Sequence, residues 1–302
     1  MSSRDGLDFR GHLLVARLDN LGDVLLAGPA VRAIPAEVTR CSFLPGPQGA
    51  DAARLLPGVD EVLSVAAPLV ADPALPVAPD DIAALVSCIA RRGIDAALIF
   101  TSFHQSPVPL ALALRLAGVR DIAACCHDYP GSLLDRRVRE PGAECHEAER
   151  ALYLTSACGF SLPPGDDGRL RVTMPRSRPL VPLPTRSVVV HPGASQRART
   201  ASPRRWRTIL RALSAAGNHC VVTGSTAEKS LVDEVSAALS AVTALAGQCA
   251  RSRISQRSSQ ARRRSWSATR DLATSPRRCG RRSCHCSRRQ CRRRIGSLRA
   301  CP

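Results

Sequence analysis

Between His12 and Cys125 short apolar runs repeatedly give way to a polar turn and then to a longer stretch with helical spacing. The same alternation restarts at Ser187 and stops after Gly247. Strands that alternate with helices of about 10–15 residues pair in parallel, because each helix carries the chain back over the sheet. The first half reads as strands at His12–Leu18, Arg40–Leu44, Glu61–Val65, Ala96–Phe100 and Ile122–Cys125, with helices over Val24–Ile34, Gln48–Leu56, Asp80–Arg92, Pro107–Ala117 and His146–Gly159. The second half opens with a strand at Ser187–Val190 and a loop from His191 to Ser195. A helix over Arg204–Ala216, a strand at Cys220–Thr223 and a helix from Thr226 to Leu239 follow. Six prolines between Pro163 and Thr185 interrupt any helical period, as a linker would. The expectation is an α/β chain of two Rossmann-like domains, residues 11–162 and a partial 186–248, joined by 163–185.

The last segment, 249–302, is of another kind. It holds seventeen arginines and one acid, Asp271, so +16 of the formal +18 sits there and residues 1–248 carry only +2. The basic character therefore says little about the body of the protein. Three readings of the tail stand side by side. An arginine arm would neutralise phosphates and bind nucleic acid without sequence preference. Cys279, Cys284, Cys286 and Cys291 with His285 offer metal ligands, at a spacing unlike the usual zinc patterns. The third reading is a shifted reading frame. Reading the tail's permitted codons two bases in allows LADLAALIAGA from Arg251, then VVGNTGPRHLAAAV from Ser265 and RTPVVSLFAPT after it, which resumes the lost βα alternation. This reading accounts for the most, and makes the tail an irregular or disordered out-of-frame extension rather than a nucleic-acid arm.

Seven cysteines (Cys41, Cys88, Cys125, Cys126, Cys145, Cys158, Cys220) precede the tail, mostly within or beside apolar runs and without a framework spacing. They read as buried, reduced thiols. Met1–Arg10 is polar and charged, and no apolar run reaches the roughly 18 residues of a membrane span. A soluble cytoplasmic protein is the expectation.

The motifs carry a resemblance. Asp19-Asn20-Leu21-Gly22-Asp23-Val24-Leu25-Leu26 with Pro29-Ala30-Val31-Arg32, then His191-Pro192-Gly193-Ala194-Ser195, then Thr223-Gly224 with Glu228, resemble in order and spacing the heptosyltransferase family, glycosyltransferase family nine. The likeness covers about residues 11–248, and the GNTGPRH string of the alternative frame resembles the family's donor-phosphate motif. Membership implies a GT-B fold and metal-independent inverting transfer from a nucleotide-sugar donor, ADP-heptose or a related one, to a glycan acceptor. It also implies a role in lipopolysaccharide or cell-envelope glycan synthesis, with peripheral contact at the inner membrane face.

Read from its spacing alone, Asp23 fits a helix N-cap better than a catalytic base; its match to the family's catalytic aspartate, a base for the attacking hydroxyl, reverses that preference. Ser195, Gln196, Arg204 and Arg205 are expected at the donor diphosphate, where helix amides and cations offset charge, the alternative being a solvated helix start. Arg205 stands where the family often has lysine. Glu228 matches the ribose-binding glutamate, or else serves its own helix terminus. His104 and Gln105 follow a strand and are expected to touch acceptor, or to cap the next helix. His146-Glu147-Ala148-Glu149-Arg150 lacks the second histidine of a zinc helix, and Gly22 belongs to no GxGxxG, which argues against a dinucleotide oxidoreductase.

Overall fold

A computed structural model describes residues 11–34, 38–70, 74, 76–102, 105–139, 141–142, 145–173, 184, 186–194, 199–247 and 265–267. They divide into two compact units, one within 11–173 and the other comprising 184–247 with 265–267.

The first unit contains strands β1 (His12–Arg17), β2 (Arg40–Pro45), β3 (Glu61–Val62), β4 (Ala96–Phe100), β5 (Asp121–Cys125) and β6 (Arg136–Val138). Its helices are α1 (Leu21–Leu26), α2 (Gly28–Arg32), α3 (Ala50–Ala53), α4 (Pro79–Ala90), α5 (Val108–Leu116) and α6 (Glu147–Ala157). All six strands pair in parallel in the order β3-β2-β1-β4-β5-β6.

Successive side chains of a strand point to opposite faces, so a parallel sheet covered on both sides needs continuous apolar runs. In β1, Leu13 and Val15 pack with Val24, Val31 and Leu154 on the α1–α2–α6 side. Leu14 and Ala16 pack with Leu85, Ile89 and Leu114 on the α4–α5 side. The helix expected at Val24–Ile34 is two short ones, broken at Ala27 because Pro29 lacks the N–H that a continuous helix would use. Strand β6 was not expected: three residues, two of them arginine, carry too little alternation to announce an edge strand.

The start of the proline-rich segment belongs to this unit. Thr173 donates its amide to Leu55 O at 2.7 Å. Arg32 holds Asp166 with two bonds, Nε to Oδ2 at 2.7 Å and Nη2 to Oδ1 at 3.0 Å, both side chains being under 10% exposed. The paired guanidinium and the Gly168 amide hold the Asp166 carboxyl far below the usual carboxylate range. A group with a depressed folded pKa contributes stability that is complete above its unfolded value, near 4, and is lost as pH falls through the folded value. Replacing Arg32 with Met is therefore expected to lower the melting temperature at pH 7 and to flatten its dependence on pH below about 4, as read by thermal denaturation across pH.

The second unit contains β7 (Ser187–His191), α7 (Pro203–Ala215), β8 (His219–Gly224), α8 (Lys229–Ser236), β9 (Val242–Ala246) and β10 (Ser265–Ser267). Its sheet is parallel throughout, in the order β10-β7-β8-β9. Val188, Val190, Cys220 and Val222 meet Trp206 and Leu210 of α7 and Val232 and Val235 of α8 in one core. Strand β9 was missed because it is half-exposed and sits just before the change of composition. The helix expected at Thr226–Leu239 is a 3₁₀ turn over Thr226–Glu228 followed by α8. In the tail, expected to be irregular, 265–267 form a strand beside β7; the rest of 249–302 lies outside the described residues.

Candidate active site

In an open parallel sheet, ligands bind beyond the carboxyl ends of the strands where the order reverses. In the first unit the reversal lies between β1 and β4, and the chain leaves those strands at Leu18 and at Thr101. Asp23 stands in the first turn of α1, the helix that follows β1. The N-cap position belongs to Asn20, so Asp23 is not the residue that opens the helix. The next strand's loop comes so close that a Cβ on Gly46 would lie 1.9 Å from Leu18 O, which requires glycine there.

Beneath Asp23 lies an arginine that the motifs did not single out. Arg17, the last residue of β1, is 2% exposed. Its Nε is 2.6 Å from Asp19 Oδ2. Nη1 donates to Thr101 O at 3.0 Å, and Nη2 donates to Ser102 Oγ at 2.8 Å and Glu147 Oε2 at 3.2 Å. Asp23 Oδ1 is 3.9 Å from Nη2. Glu147 is in turn 3.5 Å from Arg150 Nε, and Arg150 is also buried.

Three carboxylates thus meet two guanidiniums. Asp19 is almost fully enclosed at 9% exposure, while Asp23 is the most open of the three at 34%. A buried charge left without its partner costs about 3–5 kcal/mol, so these groups hold one another in place. The sequence signal for Arg17 was a charged residue inside an apolar strand. Glu147, 130 positions away, stood out only within the rejected zinc-helix pattern of His146–Arg150.

Gln105 lies in this cluster but with both ends of its amide engaged: Nε2 donates to Asp19 Oδ1 at 2.5 Å and Oε1 accepts the Ser102 amide at 3.1 Å. It ties the loop after β4 to the loop after β1. His104 lies outside the described residues.

In the second unit, Glu228 ends the 3₁₀ turn and closes a capping box, its Oε2 accepting from Ser225 N at 2.7 Å and Ser225 Oγ at 2.8 Å. His191 Nε2 is 3.8 Å from the same oxygen, and its Nδ1 is 3.2 Å from Thr223 Oγ1. Burial raises the Glu228 pKa, but the two Ser225 bonds and His191 outweigh it, and the net shift is downward. Oε1 points at the backbone of residue 193, where a Cβ would come within 1.7 Å of it. Gly193→Ala is expected to push Glu228 out of the box and destabilise the unit by about 1 kcal/mol, the usual worth of a cap. Glu228→Ala should cost a similar amount and the pair little more than either, measured as a double-mutant cycle in urea unfolding.

Arg204 and Arg205 are exposed in the first turn of α7, whose N-cap Ser202 accepts the Arg205 amide at 3.3 Å. Trp206, next to them, is a core residue. Ser195 and Gln196 lie outside the described residues.

Of the seven cysteines before the tail, five are buried and all are free thiols. Burial, aided by the Asp60 carboxylate, pushes the Cys41 thiol up to about 12, and burial takes Cys158 up to about 11. Among the described residues no group of three His, Cys, Asp or Glu is placed to hold a metal ion, and no helix is long and apolar enough to cross a membrane.

The sheet orders and the polar cluster at the reversal of the first sheet define a protein of two Rossmann-like units with a site at a carboxyl edge. No protein-family model and no curated protein matches the sequence. Solved structures do. A glycosyl transferase family 9 protein from Veillonella parvula superposes with a TM-score of 0.61 at 12% identity, over 78% of this chain and 69% of the other. The Escherichia coli ADP-heptose lipopolysaccharide heptosyltransferase II gives 0.58 at 16%, over 81% and 75%. The E. coli heptosyltransferase WaaC, solved with ADP, gives 0.56 at 17%, over 78% and 74%. At this identity the likeness is one of fold, and the fold class is GT-B.

Proposed function

We propose that the chain is a heptosyltransferase-type enzyme of glycosyltransferase family nine. It transfers a sugar, a heptose or a relative of it, from an ADP-type nucleotide donor to a saccharide acceptor with inversion at the anomeric carbon. The observation that carries this reading is Asp23, the most accessible of three carboxylates at the strand-order reversal of a GT-B first domain. The motif resemblance and the fold support it from separate directions.

In the reaction, Asp23 takes the proton of the acceptor hydroxyl as its oxygen bonds to the anomeric carbon. The bond from that carbon to the donor phosphate breaks on the opposite side, and the nucleoside diphosphate leaves. Its charge is offset by backbone amides and by Arg204 and Arg205, with Ser195 and Gln196 as further donor contacts. Cations are disfavoured at a helix N-terminus unless an anion joins them, and two arginines occupy that position in α7. Glu228, ionised and with Oε1 outside its capping box, accepts from the donor ribose. His104 contributes to the acceptor side, and Gln105 does so through the loop it braces. The enzyme works in the cytoplasm, against the inner face of the membrane, on a cell-envelope glycan such as lipopolysaccharide.

The second domain runs out of frame near codon 249. In support, β10 pairs with β7 at codons 265–267, where the alternative frame reads an apolar Val-Val ahead of GNTGPRH. Sequencing the gene across codons 247–252 tests this directly, an inserted or deleted base being the expected result. The function is tested on the frame-restored protein by following ADP release from ADP-heptose together with glycosylated acceptor by mass spectrometry. Acceptor-dependent release with an inverted anomeric centre is expected; donor hydrolysis alone, or no turnover, would overturn the reading.

A further inference from the structure

We propose that Ser225 makes Glu228 a reader of one hydroxyl of the donor ribose rather than of the pair. The inference rests on Glu228 as the ribose contact, and it assigns to Ser225 the positioning of that carboxylate.

An ionised carboxylate has about four acceptor directions, two on each oxygen. It holds both hydroxyls of a vicinal diol side by side when each oxygen is open to receive one. In the second unit one oxygen is already spent. Glu228 Oε2 accepts the Ser225 amide at 2.7 Å and the Ser225 hydroxyl at 2.8 Å, which takes both of its directions. His191 Nε2 stands on the same side, 3.8 Å from Oε2.

Oε1 is left for a ligand. Among the described residues every hydrogen bond of this carboxylate falls on Oε2. The neighbour of Oε1 is the backbone of Gly193, so near that a Cβ there would collide with it and with the carboxyl carbon. That approach covers one flank of Oε1 and leaves one acceptor direction. The side chain is 26% exposed, so the carboxylate is not sealed in.

Two further observations support the assignment. Burial works against the charge on Glu228, but the Ser225 amide, the Ser225 hydroxyl and His191 outweigh it and hold the carboxyl below its ordinary value, so Oε1 accepts and does not donate. Turning the carboxylate to offer both oxygens would break both Ser225 bonds and open the capping box. A cap by itself needs only Oε2; the consequence for a ligand lies in what the cap leaves over.

The test compares ADP, 2′-deoxy-ADP and 3′-deoxy-ADP by calorimetry on the frame-restored protein, or on the 302-residue chain if sequencing finds the frame intact. One deoxynucleotide is expected to bind about tenfold or more weaker than ADP, the worth of a hydrogen bond to a charged group, and the other within about threefold of ADP. Equal losses for both overturn the proposal and leave Glu228 as a ribose contact. No loss for either, or no nucleotide binding at all, overturns the proposal and the ribose reading together. Glu228→Gln puts an amide nitrogen in place of one carboxylate oxygen and should erase the difference between the two deoxynucleotides. A difference that persists there belongs to another residue and overturns the proposal. Ser225→Ala keeps the backbone bond to Oε2 and frees its second direction. Both deoxynucleotides are then expected to fall behind ADP, a pattern that loss of a purely structural cap would not produce. A pattern unchanged from the parent in folded Ser225→Ala overturns the role of Ser225.

Discussion

On the proposed reading, Asp23→Asn in the frame-restored protein is expected to lower kcat for sugar transfer by about 10²–10⁴-fold, the usual worth of a positioned general base, with ADP affinity nearly unchanged. The substitution keeps the shape of the side chain and removes only its ability to take a proton. Asp23 is one-third exposed, and its 3.9 Å approach to Arg17 is longer than those of Asp19 and Glu147. Arg17 keeps Asp19 and Glu147, and the fold is expected to survive, as circular dichroism would show. The split between kcat and nucleotide affinity is the informative part. Loss of a group that acts only as the hydroxyl is attacked lowers the rate without loosening the donor. A rate within tenfold of the parent would remove Asp23 from the chemistry.

The second large effect compares the 302-residue chain with the frame-restored protein of the proposed reading. The 302-residue chain is expected to show no acceptor-dependent ADP release under conditions where the frame-restored protein turns over. Described residues give the second unit one core, formed by α7 and α8 on one side of its sheet, whereas the first unit has an apolar core on each face. The segment after β9 would have to supply the donor-phosphate motif and the next strands, and instead it carries a net +16 with one acid. Like charges at that density oppose compaction. Robust transfer by the purified 302-residue product would show that the tail is no impediment and that the frame is as nature uses it.

Much of the scaffold was readable because parallel strands buried on both faces must be apolar without interruption. His12–Arg17, Ala96–Phe100 and Ser187–His191 could hardly be anything else. Strands at an edge escape this rule, and β6 and β9 were lost for that reason. The site was legible only as far as local motifs reach. Asp23 and Glu228 stand at turns whose residue order is informative, and the structure places both beside strand ends. Gln105 stood out as an acceptor contact, but its partner Asp19 lies 86 positions earlier, and no local pattern records that the pair exists. Glu147 was legible only as part of a failed zinc motif. What it does depends on α6 packing back against the end of β1, which is a property of the whole sheet.

The bond between Gln105 and Asp19 has a consequence for how such a site can vary over generations. Replacing Asp19 alone would strip Arg17 of its closest counter-charge and leave the Gln105 amide without an acceptor. Replacing Gln105 alone would loosen the loop that presents Ser102. Positions 17, 19 and 105 are therefore expected to vary together: a lineage that alters one of them is expected to alter the others, while the exposed residues around them are under no such constraint.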